Sequence, residues 1–448
     1  MFDLIVIGAG PGGYEAAAHA GKMGKQVAVV ERGPLGGVCL NVGCIPTKAL
    51  LKSSRLFTEC RKASAYGVHV TDARFDLPEV IERKNRIVAT LTKNVEGLLK
   101  RAGVEIIPGH GRLVSRNTVQ VGSESYEAKN ILIATGSRPA VPPIPGIQSE
   151  RVLDSTALLD LKEAPKKLAI VGGGYIGLEF AGFFSAIGSE VTVLEMLPQV
   201  ASGADGEIAR RLVDALRKDG VEFKTSCKVT GIEDGVVHFE DSGGSRAGIR
   251  ADRILNATGR APVLDGLGLE TNAVDFDGRG IRTSDEGRTN VPGIWACGDV
   301  TGRRLLAHAA TREGIVAVNN MFGRRDRVRY DAIPSVIYTH PEVASVGRTE
   351  EELKAQGIEY RKSAVPMTVA GRFLVENEGG AGLVKVLAGA RYGEILGVHA
   401  VGDPASEFIV AAAVMIETEM CVSDAAGLVF PHPTVSEALK EAILRLTQ

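Results

Sequence analysis

The hydrophobic pattern of the first thirty residues changes from that of a strand to that of a helix and back. The apolar run Leu4 to Ile7 predicts a buried strand, the alanine-rich stretch after it predicts a helix, and Val27 to Val30 predicts a second strand. Glycines lie between the first strand and the helix, and Glu31 follows the second strand. This order of elements predicts a parallel βαβ unit.

The glycines of this unit have the spacing of a dinucleotide-binding turn. Gly8 permits a tight turn, Gly10 lets the backbone approach a pyrophosphate, and Gly13 lets the helix pack on the strand. The helix N-terminus would hold the phosphates, and Glu31 stands where an acid can bind ribose hydroxyls. A bare glycine turn is the alternative, but every part of the binding unit is present in order.

The same pattern recurs 164 residues later (172 minus 8), with Gly172, Gly174, Gly177 and Glu195. Two such units imply two dinucleotides, most economically FAD and a nicotinamide nucleotide. No arginine lies between Glu195 and Gln199. Since a carboxylate accepts hydrogen bonds from a ribose 2′-hydroxyl but repels a 2′-phosphate, the second unit favours NAD over NADP.

Length and composition narrow the class of protein. A chain of 448 residues suggests roughly three domains. The hydrophobic content of 44%, the charged content of 24% and the net charge of -2 give no support for nucleic-acid or membrane binding. The longest apolar run, Phe408 to Ile416, is far short of the ~20 residues of a membrane span. With no signal-peptide pattern at the start, we expect a soluble, cytoplasmic protein or a mature organellar form.

Cys39 and Cys44, five residues apart, are the candidate chemical group. A zinc site needs about four ligands, and the other cysteines stand alone, while two inert thiols or a redox pair both remain open. On a regular helix these side chains would point about 140° apart. A disulfide between them would therefore need a local distortion, which Gly43 and Pro46 could provide.

The segment that contains both cysteines, LGGVCLNVGCIPTK, resembles the redox-disulfide segment of the pyridine nucleotide-disulfide oxidoreductases. Its Leu40 and Ile45 are most similar to the members that oxidise dihydrolipoamide. Val38 replaces the more common threonine. The resemblance covers essentially the whole chain.

The resemblance also implies roles for individual residues. The cysteine matched by Cys39 exchanges with the substrate disulfide, and the one matched by Cys44 lies against the flavin and forms a charge-transfer pair with it. The matched Lys48 lies near flavin N5, paired with the acid matched by Glu179.

Near the C-terminus, Phe430-Pro-His432-Pro-Thr-Val-Ser-Glu437 contains a candidate base. Thiol exchange needs a thiolate, and a histidine oriented by a carboxylate can produce it. His432 and Glu437 match the family's His-Glu dyad, which acts on the disulfide of the opposite subunit. Phe430 stands where relatives often carry a further histidine. His340 is interpreted as part of the active-site wall.

A second FAD motif follows from the resemblance, at residues 289–300 (TNVPGIWACGDV), which predict a strand ending in Gly298-Asp299. The matched Asp299 binds the ribityl chain. Residues 131–139 and 254–262 resemble the two returns between the FAD and nucleotide domains. The other expected FAD contacts are Arg32, Gly37, Lys48, Gly111, Thr135, Gly136, Ser137, Leu306, Ala307 and His308. The other expected NAD contacts are Tyr175, Ile176, Glu179, Val229 and Gly259.

From about Ile333 the pattern is mixed and predicts a helix over 349–356, strands near 383–386 and 394–398, and a helix over 407–417. It resembles the family's interface domain, which makes the homodimer. The expected fold is α/β, with two Rossmann-like dinucleotide-binding domains and a C-terminal α+β dimerisation domain. The expected boundaries are 1–140 and 263–332 for the discontinuous FAD domain, 141–262 for the NAD domain and 333–448 for the interface domain.

The expected activity is FAD-dependent oxidation of dihydrolipoamide with reduction of NAD, without a metal. The partner would be a lipoyl domain, with docking on a peripheral subunit-binding domain of a 2-oxoacid dehydrogenase or glycine-cleavage complex. A glutathione-type or mercuric reductase and a mainly structural subunit are the alternatives. The missing arginines after Glu195 count against a glutathione-type reductase, and the absence of a C-terminal cysteine pair counts against a mercuric reductase. The intact set of Cys39, Cys44, His432 and Glu437 counts against a mainly structural role.

Overall fold

The computed structural model describes residues 1–448, which fold into helices and strands throughout. The helices are α1 Pro11–Lys22, α2 Gly37–Val42, α3 Cys44–Lys62, α4 Leu77–Arg101, α5 Ser155–Leu158, α6 Tyr175–Ala186, α7 Gly206–Lys218, α8 Ala307–Met321, α9 Glu350–Ala355, α10 Gly371–Glu376, α11 Ala405–Glu417, α12 Val422–Ala426 and α13 Glu437–Leu444.

The strands are β1 Phe2–Ile7, β2 Val27–Glu31, β3 Glu105–Pro108, β4 Gly111–Ser115, β5 Thr118–Val121, β6 Glu124–Ile133, β7 Ser137–Pro139, β8 Val152–Leu153, β9 Lys167–Val171, β10 Glu190–Leu194, β11 Val221–Lys224, β12 Lys228–Glu233, β13 Val236–Glu240, β14 Arg246–Arg250, β15 Arg253–Asn256, β16 Arg260–Pro262, β17 Phe276–Asp277, β18 Gly280–Ile281, β19 Ile294–Ala296, β20 Ser335–Ile337, β21 Val343–Gly347, β22 Tyr360–Pro366, β23 Leu383–Gly389 and β24 Ile395–Val401.

The chain forms two compact units. The first contains residues 1–49, 79–140 and 259–328. Its sheet has the order β3-β2-β1-β6-β5-β4, with β19 on β6, and the β1, β2, β3, β6 and β19 pairings are parallel. Apolar clusters cover both faces of this sheet. Burial on both faces explains why β1 is an unbroken apolar run rather than an alternating one.

The second unit contains residues 50–78, 141–258 and 329–448. One of its sheets has the order β11-β10-β9-β15-β8 with parallel pairing, so its first four strands repeat the arrangement β3-β2-β1-β6 of the first unit. Another is the antiparallel sheet β20-β21-β24-β23-β22. Residues of α11 and α13 pack with this antiparallel sheet in one apolar core.

The elements predicted for the C-terminal segment are confirmed. Helix α9 begins after Thr349, whose side chain accepts from Glu352 N, while the Glu352 carboxylate accepts from Thr349 N. This capping box fixes the start that the sequence predicts. Strands β23 and β24 and helix α11 occupy the other predicted stretches.

The predicted strand end at Gly298-Asp299 is wrong. Strand β19 ends at Ala296, and a 3₁₀ turn begins at Gly298. Gly298 has φ of 77°, a left-handed conformation that no strand residue adopts, and its N–H donates to Glu313 Oε2 at 2.6 Å. Asp299 therefore lies on a turn after the strand rather than at its last position.

A buried ion cluster in the second unit joins α7 to the antiparallel sheet. Lys385 of β23 has a side chain that is 1% exposed, and its Nζ lies 2.9 Å from Asp205 Oδ2 and also pairs with Glu350. Asp205, fully buried, caps α7 by accepting from Glu207 N. Burial raises the pKa of Asp205, but the hydrogen bond with Lys385, the positive charge of Lys385 and the hydrogen bond from the Glu350 backbone act together in the opposite direction, and the pKa lies below its ordinary value.

We expect Lys385→Met to destabilise the second unit by about 3–5 kcal/mol, because it leaves the fully buried Asp205 without its cation and removes one of the cations that pair with Glu350. The midpoint of thermal unfolding should fall by roughly 6–20 °C. Lys354→Met is the matched control, since Lys354 pairs with the same Glu350 but is 63% exposed. Equal midpoints for the two variants in differential scanning calorimetry would contradict the prediction.

Candidate active site

The first glycine turn has the geometry that a dinucleotide needs. Gly8 has φ of 102°, and a Cβ atom added to this glycine would lie only 2.4 Å from Ala134 O. The backbone therefore leaves no room for a side chain at this position. A Cβ at Gly13 would lie 1.9 Å from Gly8 O, so the start of α1 packs directly on the turn. At Gly10, in contrast, a Cβ would meet nothing within 4 Å. The close approaches fix the turn, and Gly10 leaves open space beside the backbone for a phosphate.

Helix α1 begins at this open space without a side-chain cap. Gly10 is its N-cap and makes no side-chain hydrogen bond, and Pro11 occupies the first turn. Glu31 closes the turn from the other side, with Oε2 accepting from Ala9 N at 2.7 Å and Oε1 from Gly33 N at 2.8 Å. The arrangement presents a helix N-terminus and an oriented carboxylate, which fit a pyrophosphate and a ribose.

The second glycine turn repeats these contacts. A Cβ at Gly172 would lie 2.3 Å from Ala257 O, one at Gly177 would lie 2.1 Å from Gly172 O, and one at Gly174 would meet nothing within 4 Å. Glu195 accepts through Oε2 from Gly173 N at 2.7 Å and through Oε1 from Leu197 N at 2.8 Å. Both predicted units are therefore built as dinucleotide turns.

Other residues predicted for the FAD site surround the first turn or lie elsewhere in the first unit. A Cβ at Gly37 would lie 2.7 Å from the Gly10 Cα, and one at Gly111 would lie 3.1 Å from Ile7 Cγ2. Arg32 is exposed directly after Glu31. Leu306 is the N-cap of α8, and Ala307 and His308 are its first residues, so their backbone N–H groups form a second helix N-terminus.

The two return segments meet in the first unit. Strands β7 and β16 pair in antiparallel register, and Thr135 Oγ1 donates to Val263 O at 2.8 Å. Gly136 and Gly259 both have positive φ and open space at the Cβ position. Ser137 Oγ donates to Asp299 Oδ2 at 2.5 Å.

Apart from Gly259, which lies in the first unit, the residues predicted for the NAD site lie in the second unit. Tyr175 and Ile176 are the first residues of α6, and Glu179 one turn later is 5% exposed. Glu179 Oε1 accepts from Tyr338 N at 3.0 Å. Val229 is a largely buried residue of β12.

The two cysteines face each other across a helix break. Cys39 belongs to α2, which ends at Val42, and Cys44 is the first residue of α3. Gly43 between them has φ of -145° and ψ of -111°, and a Cβ there would lie 2.9 Å from Val38 O. The predicted distortion at Gly43 is confirmed. Pro46 takes no part in it, because it lies in the first turn of α3, where a helix tolerates proline.

Cys39 and Cys44 form a hydrogen bond with each other. The hydrogen bond with Cys44 and then burial raise the pKa of the Cys39 thiol, while the positive charge of Lys48 acts in the opposite direction. Partial burial and mutual contact are what a pair that cycles between dithiol and disulfide requires.

His432 and Glu437 form the predicted dyad. His432 Nδ1 lies 3.0 Å from Glu437 Oε1 and 3.2 Å from Oε2, and Thr434 N donates to Oε2 at 3.0 Å. The hydrogen bond with His432 lowers the pKa of Glu437. The His432 side chain is 79% exposed, so its Nε2 is open to a group from outside the chain.

Family models match almost the whole chain. The model described as pyridine nucleotide-disulphide oxidoreductase covers residues 2–314, and the model of its dimerisation domain covers residues 333–443. The chain belongs to the pyridine nucleotide-disulphide oxidoreductases. Accordingly it is an oxidoreductase that uses FAD and NAD, and it forms homodimers.

Relatives of this oxidoreductase span its full length. Dihydrolipoyl dehydrogenase 3 of Pseudomonas aeruginosa is 42% identical over 458 residues, which cover 99% of this chain and 97% of the relative. The mitochondrial dihydrolipoyl dehydrogenase of Dictyostelium discoideum is 42% identical, covering 99% and 93%. Among solved structures, LpdA of Mycobacterium tuberculosis has a TM-score of 0.90 at 28% identity, covering 99% of both chains. The predicted α/β fold class, with two dinucleotide-binding units and a C-terminal dimerisation domain, is confirmed.

The structure contains neither a membrane-spanning helix nor a cluster of metal ligands. None of the helices combines the length and hydrophobicity that a membrane crossing requires. No three histidine, cysteine or carboxylate side chains lie close enough together to hold a metal ion.

The sequence analysis of this disulphide oxidoreductase missed contacts made by unassigned residues. Asn41 Nδ2 donates to Leu35 O and Gly37 O and so braces the α2 segment that carries Cys39. Arg260 donates to Ser137 Oγ at 2.7 Å. His340, predicted as a wall residue, contacts the carboxylate of the buried Asp403 through Nδ1. Of these contacts, the sequence pointed only to that of Arg260, because Arg260 lies in the return segment 254–262.

Proposed function

We propose that this enzyme oxidises dihydrolipoamide to lipoamide and reduces NAD⁺ to NADH. The observation that carries the proposal is the contacting Cys39 and Cys44 pair at the break between α2 and α3, in the unit that contains the first glycine turn. Relatives with 42% identity over 99% of the chain bear the name dihydrolipoyl dehydrogenase, which supports dihydrolipoamide as the substrate.

The thiol chemistry starts from the Cys39–Cys44 disulfide. His432 of the partner subunit, oriented by Glu437, takes a proton from one dihydrolipoamide thiol. The thiolate attacks Cys39 and forms a mixed disulfide, and Cys44 leaves as a thiolate. The second substrate thiol then gives its proton to the Cys39 sulfur and attacks the substrate sulfur that is bonded to Cys39, which releases lipoamide and leaves Cys39 as a thiol. Two electrons now reside on the cysteine pair.

Bound FAD would supply the acceptor for those two electrons and pass them as hydride to NAD⁺. On the protein side, Lys48 provides a positive charge next to the thiol pair, and Glu179 is its proposed partner. Asp299 would accept from the ribityl chain. The proposed FAD residues are otherwise Gly8, Gly10, Gly13, Glu31, Arg32, Gly37, Gly111, Thr135, Gly136, Ser137, Leu306, Ala307 and His308. The proposed NAD residues are Gly172, Gly174, Tyr175, Ile176, Gly177, Glu179, Glu195, Val229 and Gly259.

The proposal extends to domains and partners. Residues 1–140 and 263–332 would form the FAD domain, 141–262 the NAD domain and 333–448 the interface domain. The lipoyl domain of a 2-oxoacid dehydrogenase or glycine-cleavage complex would be the substrate carrier, and a peripheral subunit-binding domain would dock the dimer. A reducing cytoplasm is the proposed location, because six cysteines in 448 residues are too few for a disulfide scaffold.

The substrate is tested by comparing three assays on one preparation. Dihydrolipoamide-dependent NAD⁺ reduction should exceed NADH-dependent reduction of oxidised glutathione and of mercuric ion by at least a hundredfold in kcat/KM. Cys60→Ser is the matched control, since Cys60 is a free thiol on α3 outside the proposed site, and it should retain full activity. Faster turnover of glutathione or mercuric ion would overturn the substrate assignment.

We expect NADP⁺ to be used at least ten times less efficiently than NAD⁺, which corresponds to about 1.4 kcal/mol. Glu195 is the reason, because its carboxylate stands at the ribose position of the second turn and repels a 2′-phosphate. Glu195→Gln should bring the ratio of kcat/KM for NAD⁺ to kcat/KM for NADP⁺ closer to one. Glu190 is an exposed acid at the start of β10, the strand that precedes Glu195, and Glu190→Gln should leave the NAD⁺ to NADP⁺ ratio unchanged. Equal kcat/KM values for the two nucleotides in the wild type would refute the prediction.

A further inference from the structure

A directional chain of hydrogen bonds joins Arg260, Ser137 and Asp299 in the first unit. Arg260 donates through Nε to Ser137 Oγ at 2.7 Å and through Nη2 to Ser137 O at 2.8 Å. Ser137 Oγ donates to Asp299 Oδ2 at 2.5 Å. Arg260 Nε itself lies 3.9 Å from Asp299 Oδ2, so the serine hydroxyl mediates between the two charges.

The order of these bonds follows from the chemistry of the groups. A guanidinium only donates, and a hydroxyl has a single proton. Because Arg260 occupies a lone pair of Ser137 Oγ, the hydroxyl proton is directed at Asp299 Oδ2. The carboxylate is held by one oxygen, and no hydrogen bond from the protein reaches Oδ1. Oδ1 is therefore the acceptor that Asp299 presents to a hydroxyl outside the protein.

Burial makes this support necessary. The side chain of Asp299 is 23% exposed and that of Arg260 is 14% exposed. Burial raises the pKa of Asp299, and the Ser137 hydrogen bond and the Arg260 charge both oppose the rise. The arginine thus favours the ionised carboxylate, which is the stronger hydrogen-bond acceptor.

The backbone fixes the arginine in place. Strands β7 and β16 pair so that Pro262 lies opposite Ser137, and Val263 N donates to Gly136 O at 2.9 Å. Arg260 therefore reaches Ser137 from the neighbouring strand, with a fork that a lysine cannot reproduce.

We propose that Arg260, acting through Ser137, is the residue that positions Asp299 to hold FAD. The proposal rests on the role of Asp299 toward the ribityl chain stated above. It makes Arg260 a positioning residue without contact to the reacting atoms.

The test measures how fast the holoenzyme loses FAD, from the rise of flavin fluorescence after dilution. Arg260→Met and Ser137→Ala should each release FAD roughly ten to a hundred times faster, as expected for the loss of a charge-assisted hydrogen bond. The double variant should match the single variants, because the two residues act in series. Arg260→Lys should recover only part of the retention. Arg138→Met is the control, since the adjacent Arg138 is 55% exposed and pairs with Asp265 instead.

The pH dependence of FAD release separates positioning from loss of fold. Without Arg260 the pKa of Asp299 rises further, so the pH below which FAD is lost should move upward in Arg260→Met but not in Arg138→Met. Wild-type FAD retention in both Arg260→Met and Ser137→Ala, or multiplied effects in the double variant, would overturn the proposal. Asp299→Asn separates the role of Asp299 in holding FAD from the role of Arg260 in positioning Asp299. If it leaves FAD release unchanged, the role of Asp299 fails; if it alone accelerates release, only the role of Arg260 fails.

Discussion

Mixing two inactive variants, His432→Ala and Cys44→Ser, should restore about a quarter of wild-type activity. Each variant alone should be nearly dead, because general acid-base catalysis contributes about 10² to 10⁴-fold and the disulfide is obligatory. If His432 serves the cysteines of the partner subunit, one of the two sites in a mixed dimer has both an intact disulfide and an intact base. In a statistical mixture half of the dimers are mixed, and half of the sites in each mixed dimer are intact, so about a quarter of all sites should be active.

The measurement is NAD⁺ reduction by differently tagged chains that have been refolded together. An aliquot purified through both tags contains only mixed dimers, and its activity should be about half that of the wild type. A mixture of His432→Ala with Glu437→Ala is the control, because both lesions fall in the same dyad and every site stays defective. Its activity should remain at the level of the single variants. Full heterodimer formation without recovery in the first mixture would mean that His432 works within its own chain.

Replacing either cysteine should abolish turnover, but only one replacement should abolish the long-wavelength absorption that a thiolate next to oxidised flavin produces. Cys39→Ser leaves Cys44, the first residue of α3, as the thiolate proposed to lie against the flavin. We expect this variant to show the band without added reductant. Cys44→Ser should lack the band.

Absorption spectra of the oxidised holoenzymes and stopped-flow turnover together make this measurement. Cys60→Ser should behave as the wild type in both. A band in Cys44→Ser and none in Cys39→Ser would reverse the two roles, which the resemblance assigns and the geometry of the thiol pair alone does not.

Local patterns in the sequence were sufficient for the glycine turns and for the helix break. The turns can be recognised from residues within about 25 positions, from Gly8 to Glu31 and from Gly172 to Glu195, and the break from Gly43 itself. The strand before Asp299 was placed too far along, because the apolar run continues into a glycine whose positive φ is not visible in a hydrophobic pattern.

Contacts between distant residues could not be predicted. Arg260 meets Ser137 across 123 positions, and Lys385 meets Asp205 across 180. Each contact arises from how strands pair or how α7 meets the antiparallel sheet, and no periodicity within one segment encodes such a pairing. The sequence therefore predicts where the cofactors can bind better than it predicts which distant residues hold the binding residues in position.

The shared strand order of the two parallel sheets is what a duplicated ancestral segment would leave behind. Between β2 and β3 the first copy has residues 32 to 104, whereas the second copy has only residues 195 to 220 between β10 and β11, where α7 alone makes the crossover. The longer connection contains α2 and α3, and with them Cys39, Cys44 and Lys48. Descent by duplication would thus make nucleotide binding the property that the two copies share, whereas the thiol chemistry belongs to a connection that only one of them contains.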